Sequence, residues 1–297
     1  VGGVGGVYAP GRRVGGVGVG FGVGVHTPAT RTEGLVVTAL CARTPGSADD
    51  AAKSLGLPHA FAGWRNLIAS DDVDIVAVVT PPVAHPEATL AAIAAGKHVF
   101  AEKPVAVDAP GVRSVLETCA VAKKKNLSVV SGLCLRYGNG FREVIRRIHG
   151  GEIGEVHTMF ANDYRGGLWY KDRQPDWTDM HYQMRNWYYY SWLSGDFNVE
   201  QHVHFLDVCS WAKGAYPIKA VGMGGRHVRT EKKYGDIFDH HSIVYEYADG
   251  AKLYSNTRQM KGCKSNMSAE VQGSAGRARF SERRNGVTID AKGKDLW

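Results

Sequence analysis

The sequence predicts an α/β protein: an N-terminal Rossmann domain with a doubly wound parallel sheet, followed by an α/β domain on a largely antiparallel open sheet. Three observations predict it. A glycine-rich turn, Gly18-Val19-Gly20-Phe21-Gly22-Val23, follows the β-branched run Val14–Val17 and opens a helix. Short apolar runs then alternate with helical stretches as far as Leu133. Beyond Cys134 the texture changes, and Trp, Tyr, His and Asp become dense. Strands buried on both faces read as continuous apolar runs, and helical crossovers between them imply a parallel sheet. A chain of 297 residues also carries an expectation of about two domains, since single cores stop growing beyond ~250–300 residues.

In chain order, Val1–Arg13 is nearly all Gly and Val and reads as part tail, part first strand. Arg12-Arg13 resembles a twin-arginine export signal superficially, but no leucine-rich stretch or small-residue cleavage pattern follows. The first strand is Val14–Val17, with a helix from about Val25. Then come a strand over Leu35–Ala42, a helix over Ala48–Leu55, a strand over Ile75–Val79 and a helix over Pro86–Ala95. Val99-Phe100 is the next strand, Ala109–Lys125 the next helix, and Ser128–Leu133 the last parallel strand. The Rossmann domain thus spans 1–133 and the second domain 134–297. In the latter, Val156–Ala161, Ala220–Met223, Ser242–Tyr247 and Ala251–Asn256 are strand-like, with a hairpin signal at Asp249-Gly250. One helix, from about Asn198 to Lys213, stops at Gly214, because glycine adopts the left-handed C-terminal position without penalty.

Composition narrows the function classes. The formal charge is +7, yet the basic residues are dispersed, and the densest run, Lys123-Lys124-Lys125, reads as a solvated helix end. No nucleic-acid reader motif accompanies them, so no nucleic-acid partner is expected. The five cysteines are widely spaced, with no C-x-x-C pair, and are expected to be free thiols. No window reaches the ~18 consecutive apolar residues of a membrane span. The expected compartment is the cytoplasm, with the periplasm, after removal of an upstream export signal, as the alternative.

In the glycine turn, Gly18 permits the tight bend and Gly20 lets backbone approach a pyrophosphate, while Val23 stands where Gly or Ala usually allows close helix packing. At the end of the second strand, Cys41-Ala42-Arg43-Thr44 offers no carboxylate for a ribose 2′-hydroxyl, and Arg43 suits a 2′-phosphate. This favours NADP over NAD.

Two further segments, Thr80-Pro81-Pro82-Val83-Ala84-His85 and Ala95-Gly96-Lys97-His98-Val99-Phe100-Ala101-Glu102-Lys103-Pro104, together with Gly195–Val208, resemble the glucose-fructose oxidoreductase, inositol dehydrogenase and rhizopine-catabolism (Gfo/Idh/MocA) family. The resemblance implies hydride transfer between a nicotinamide and a secondary hydroxyl of a sugar or cyclitol. It implies cofactor contacts from Gly18, Gly20, Phe21, Gly22, Val23, Arg43, Thr80, Pro81, Pro82, His85, Glu102 and Lys103. The lysine of the Glu-Lys-Pro motif falls on Lys103, and the family's carboxylate and histidine fall on Glu200 and His204, with Glu200 where many members have Asp. Arg136 lies where relatives meet substrate. The resemblance also implies a homo-oligomer, dimer or tetramer, assembled through the open sheet. Relatives usually continue beyond that sheet with helices returning to the first domain, so a chain ending at Trp297 is expected to be truncated or covered by a neighbouring subunit.

The residues support the same chemistry on their own. On a helix, Glu200, His204, Asp207 and Trp211 share one face. A histidine one turn from a carboxylate is held in a defined tautomer and tuned toward neutral pH. His204 is therefore the expected acid/base, Glu200 its orienter, and Lys103 a hydrogen-bond donor and proton relay, with a neutral Lys103 as the competing base. Trp187 and its aromatic neighbours suit stacking on a sugar, or core packing, and Asp207 joins Arg136 and Trp187 as a substrate contact. A metal site from Glu200, His202, His204 and the His240-His241 pair is disfavoured, since His202 falls on a different helical face; no metal is expected. Two other functions fit the sequence: glycoside cleavage assisted by a retained nicotinamide, and nucleotide binding without turnover.

Overall fold

The computed structural model describes residues 11–18, 26, 34–282 and 286–295. Gly20, Phe21, Gly22 and Val23 of the turn, and most of the helix expected from Val25, lie outside the described residues. The chain divides into two compact units, Val1–Gly132 and Leu133–Trp297.

In the first unit, β1 (Arg13–Val17), β2 (Val36–Ala42), β3 (His59–Ala62), β4 (Ile75–Val78), β5 (His98–Ala101) and β6 (Val129–Ser131) form one sheet in the order β3-β2-β1-β4-β5-β6. Every pairing is parallel. Val76, Val78 and Val99 pack with Leu67, Ile68, Ala88 and Ile93 from the crossovers. The helix Ala109–Lys124 shows how local sequence sets its ends. Asp108 accepts the Gly111 N–H at 2.7 Å, Pro110 sits in the first turn where its missing donor costs nothing, and Lys123 and Lys124 face the carbonyl end. The strand β3 and the helix Trp64–Ala69 were not anticipated; β3 is an edge strand of half-exposed residues with no continuous apolar run. The strand order reverses direction between β1 and β4, which opens a crevice at their carboxyl ends.

The second unit holds an eight-stranded sheet: β7 (Val156–Arg165), β8 (Lys219–Gly225), β9 (His240–Glu246), β10 (Lys252–Gln259), β11 (Asn266–Gly273), β12 (Gly276–Ser281), β13 (Thr288–Ala291) and β14 (Lys294–Asp295). Its order is β14-β13-β12-β11-β7-β10-β9-β8. Among the described strands β7 and β10 pair parallel, and the other pairs are antiparallel. Its inner face carries Met159, Ala161, Leu253, Val271 and Phe280, which pack on Val144 and Ile148 of the helix Asn139–His149 and on Phe205 and Val208 of the helix Val203–Lys213. Farther along β7 and β10 the same face turns polar, with Asp163, Ser255, Thr257 and Gln259 all buried. Tyr188, Tyr189, Phe197 and Ile237 make a second core, against which Trp187, Tyr190 and Tyr234 pack.

The expected single helix from Asn198 to Lys213 is two helices, Asp196–Glu200 and Val203–Lys213, joined at Gln201-His202. Gln201 has φ −115° and ψ −52°, and the His202 N–H donates to Phe197 O at 3.0 Å, one residue wider than the α-helical ladder. The cause is tertiary. The His202 ring turns fully inward and bonds Ser255 on β10.

Candidate active site

In the first unit the site is built at the carboxyl ends of β1, β4 and β5. Gly18, just past β1, has φ +117°, and a Cβ there would lie 2.6 Å from Val79 O. Only glycine lets the turn lie this close to the end of β4. Thr80 and Pro81 follow β4 half-buried, and Pro82 is buried at the start of a single 3₁₀ turn. Arg43 stands exposed one residue past β2.

Past β5, the Glu102 N–H donates to Val78 O at 2.9 Å, tying the motif to the end of β4. Its carboxylate accepts the Lys103 N–H at 2.9 Å and meets His26 Nε2 at 2.9 Å. Burial pushes the Glu102 pKa up, but the His26 ring and the Lys103 amide outweigh it and hold the group below the usual carboxylate range. Room for this carboxylate comes from Gly132, where a Cβ would lie 2.5 Å from Glu102 Oε2. The Lys103–Pro104 bond is cis. Glu102 thus fixes the main chain that presents Lys103.

His85, expected to contact the cofactor, lies inside the first unit. It is 1% exposed, with Nδ1 at 2.7 Å from Pro104 O and Nε2 at 2.8 Å from Thr80 O. Burial holds the ring neutral with a single N–H, which can donate to only one of these two carbonyls, and the ring lies between the two loops.

In the second unit, Glu200 and His204 lie on either side of the joint, 6% and 8% exposed. One turn on, Asp207 accepts Nε and Nη2 of Arg136 at 2.7 and 2.8 Å. The two expected substrate contacts therefore satisfy one another, in a fork-to-carboxylate pair that also places the guanidinium over the Trp211 ring. Asp207 is the more buried partner, so Arg136→Met should destabilise the unit by about 1–3 kcal/mol, read as a lower urea midpoint at constant slope. Trp187 is half-buried in the aromatic core, its ring 5.5 Å from Tyr188 and 6.2 Å from Trp169. Among the described residues no group of three or more His, Cys, Asp or Glu is placed to hold a metal, and no helix is long and apolar enough to cross a membrane. Sequence reasoning missed the polar end of the sheet, although Asp163, at the inward-facing period of Met159 and Ala161, was a visible signal.

Residues 12–131 match the model of an oxidoreductase family with an NAD-binding Rossmann fold, and residues 141–279 match the Gfo/Idh/MocA C-terminal domain. The chain belongs to the Gfo/Idh/MocA family. This Gfo/Idh/MocA chain is 27% identical over 229 residues to an uncharacterized oxidoreductase of Streptococcus pneumoniae, covering 77% of the chain and 57% of that protein. It is 39% identical over 105 residues to inositol 2-dehydrogenase of Pseudomonas syringae pv. syringae, covering 34% of the chain and 31% of that enzyme. The chain therefore spans between about a third and somewhat over half the length of these two curated relatives. Levoglucosan dehydrogenase, solved with NADH and levoglucosan, shares its fold with a TM-score of 0.80 at 20% identity, over 96% of this chain and 77% of that one.

Proposed function

We propose that this Gfo/Idh/MocA chain transfers a hydride between a nicotinamide dinucleotide and a secondary hydroxyl of a sugar or cyclitol. The observation that carries the reading is the rim of the parallel sheet. A glycine whose Cβ position is filled by Val79 O follows β1, and a lysine whose backbone is held by Glu102 follows β5, with β4 between the two strands. That cradle fits a dinucleotide, since close backbone approach is what pyrophosphate binding at a strand-to-helix turn requires. The bound nicotinamide supplies the hydride acceptor or donor.

The chain's own residues handle the proton. In this reading His204 takes the hydroxyl proton, Glu200 orients the imidazole, and Lys103 donates a hydrogen bond to the substrate oxygen and relays the proton. Arg43, exposed just past β2 in the acid-free stretch Cys41-Ala42-Arg43-Thr44, supports NADP over NAD. Oligomerisation is assigned to the outer face of the eight-stranded sheet. There Val221, Val244, Tyr254 and Phe160 form one cross-strand row, and the first three are exposed.

The test is a panel of inositols, aldoses and anhydro-sugars offered with NADP or NAD while the reduced-nicotinamide absorbance is followed. Turnover with at least one polyol, faster with NADP, is the expected result. Nucleotide binding with no hydride exchange across the panel would reassign the chain to a binding module.

A further inference from the structure

The polar end of the second unit's inner sheet face holds groups that the proposed chemistry leaves unused. Asp163 on β7 is 0% exposed; its Oδ1 accepts Arg165 Nε at 2.5 Å, while Oδ2 has no hydrogen-bond partner among the described residues. At 3.9 Å from Oδ2 lies His202 Nδ1, equally buried and equally without a hydrogen bond. The other ring nitrogen, Nε2, meets Ser255 Oγ at 2.9 Å, and Ser255 is 2% exposed.

Burial, with His241 and Arg165 nearby, pulls the His202 pKa down to about 3, so the ring is neutral and carries one N–H. Burial pushes Asp163 up to about 6 against the pull of Arg165, which leaves it mostly ionised above neutral pH. Two tautomers compete. With the proton on Nε2, the ring donates to Ser255, and a bare Nδ1 faces a carboxylate oxygen 3.9 Å away. With the proton on Nδ1, it points at Asp163 Oδ2, and Nε2 accepts from the Ser255 hydroxyl. The second arrangement turns an N–H in place of a lone pair toward the carboxylate; across 3.9 Å this is a charge–dipole attraction and not a hydrogen bond, and it replaces a repulsion between two acceptors.

We propose that Asp163 selects the Nδ1–H tautomer of His202, and that this buried Asp163-His202-Ser255 array is a positioning device for Glu200 and His204. The joint explains how. The His202 carbonyl accepts Phe205 N at 3.0 Å and Leu206 N at 3.2 Å, starting the helix that carries His204, while its N–H closes the turn that ends with Glu200. The ring anchors the one residue from which both helices diverge. Arg165 on β7, His241 on β9, Glu282 after β12, Glu200 on the preceding helix and Tyr188 are, among the described residues, charged or titratable groups that bear on the array. The catalytic consequence rests on the hydride-transfer reading; the tautomer does not.

The test uses the full chain with ¹⁵N-labelled histidine. Long-range ¹⁵N–¹H correlation above neutral pH should place the His202 proton on Nδ1, with the signal assigned by its loss in His202→Asn. In Asp163→Asn, whose amide offers an N–H, the proton should move to Nε2. Turnover should then fall roughly tenfold to a hundredfold, the range expected for a small misplacement of reacting groups, with nicotinamide affinity unchanged. A native proton on Nε2, or an unmoved tautomer in Asp163→Asn, overturns the proposal. Should Asp163→Asn fail to fold, the native spectrum and Ser255→Ala decide, since Asp163 alone should keep the proton on Nδ1 there. An Nδ1 proton in a chain that turns over no polyol would sink the hydride reading and leave the tautomer standing.

Discussion

Lys103→Ala should lower hydride transfer by about 10³-fold, roughly 4 kcal/mol of transition-state stabilisation, while the chain stays folded. The two halves of this expectation have separate physical grounds. The backbone at residue 103 is held by groups other than its ammonium: its N–H rests on Glu102 Oε2, and the following Pro104 carbonyl rests on His85. Truncating the side chain leaves those contacts intact, so circular dichroism and the urea midpoint should be unchanged. Lys103→Arg then separates the two roles left open for the residue. Arginine keeps a donor and a charge but does not give up its proton, so substantial activity in that variant assigns lysine a donor's duty, and loss equal to alanine assigns it the base. Full turnover in Lys103→Ala would remove the residue from the mechanism.

The second large effect is expected at Gly18→Val. The backbone there lies at φ +117°, and the new Cβ would sit 2.6 Å from Val79 O and 3.1 Å from its carbonyl carbon, atoms of a strand end that has no freedom to retreat. Strain at such a φ costs about 1–3 kcal/mol, and the overlap adds to it. Nicotinamide affinity should fall by about a hundredfold or more, since the turn moves off the pyrophosphate path, as read by quenching of reduced-nicotinamide fluorescence. Gly96→Ala is the control. It also has a positive φ, +75°, but nothing lies within 4 Å of its Cβ position. It should lose about 1 kcal/mol of stability and keep its cofactor affinity. Equal affinity losses in both would point to general destabilisation and away from a cradle at residue 18.

Much of the first unit was legible because β2 and β4 are largely apolar runs and the helix joining β5 to β6 starts on residues whose preference is local, Asp108 and Pro110. The edge strand β3 escaped because His59, Ala60 and Phe61 are half-exposed and carry no run. In the second unit the helix Asn139–His149 was readable, since Phe141, Val144, Ile145 and Ile148 recur at the helical period between arginines, yet it went unread. The strands β11 to β13 alternate with small residues, Ala269 with Val271 and Ala278 with Phe280, which dilutes the period-two signal. Within the site, Lys103 was legible from its motif at a strand end. The burial of His85, the Arg136–Asp207 pair and the break at Gln201-His202 were not. Each depends on a partner distant in sequence, as when the His202 ring meets Ser255. Side-chain spacing alone made residues 198–213 one helix, and a tertiary contact split it.

The parallel pairing of β7 with β10 carries a consequence for how such a chain diversifies. Adjacent parallel strands demand a long return path, and here that path contains Trp187, Glu200, His204 and Asp207 before it enters β8. Its two ends, Arg165 and Lys219, are pinned in the same sheet. Residues 166–218 therefore cannot vary alone: Phe205 and Val208 are wedged against the sheet and His202 against Ser255, so a change in this loop has to be matched by the strands it folds back upon.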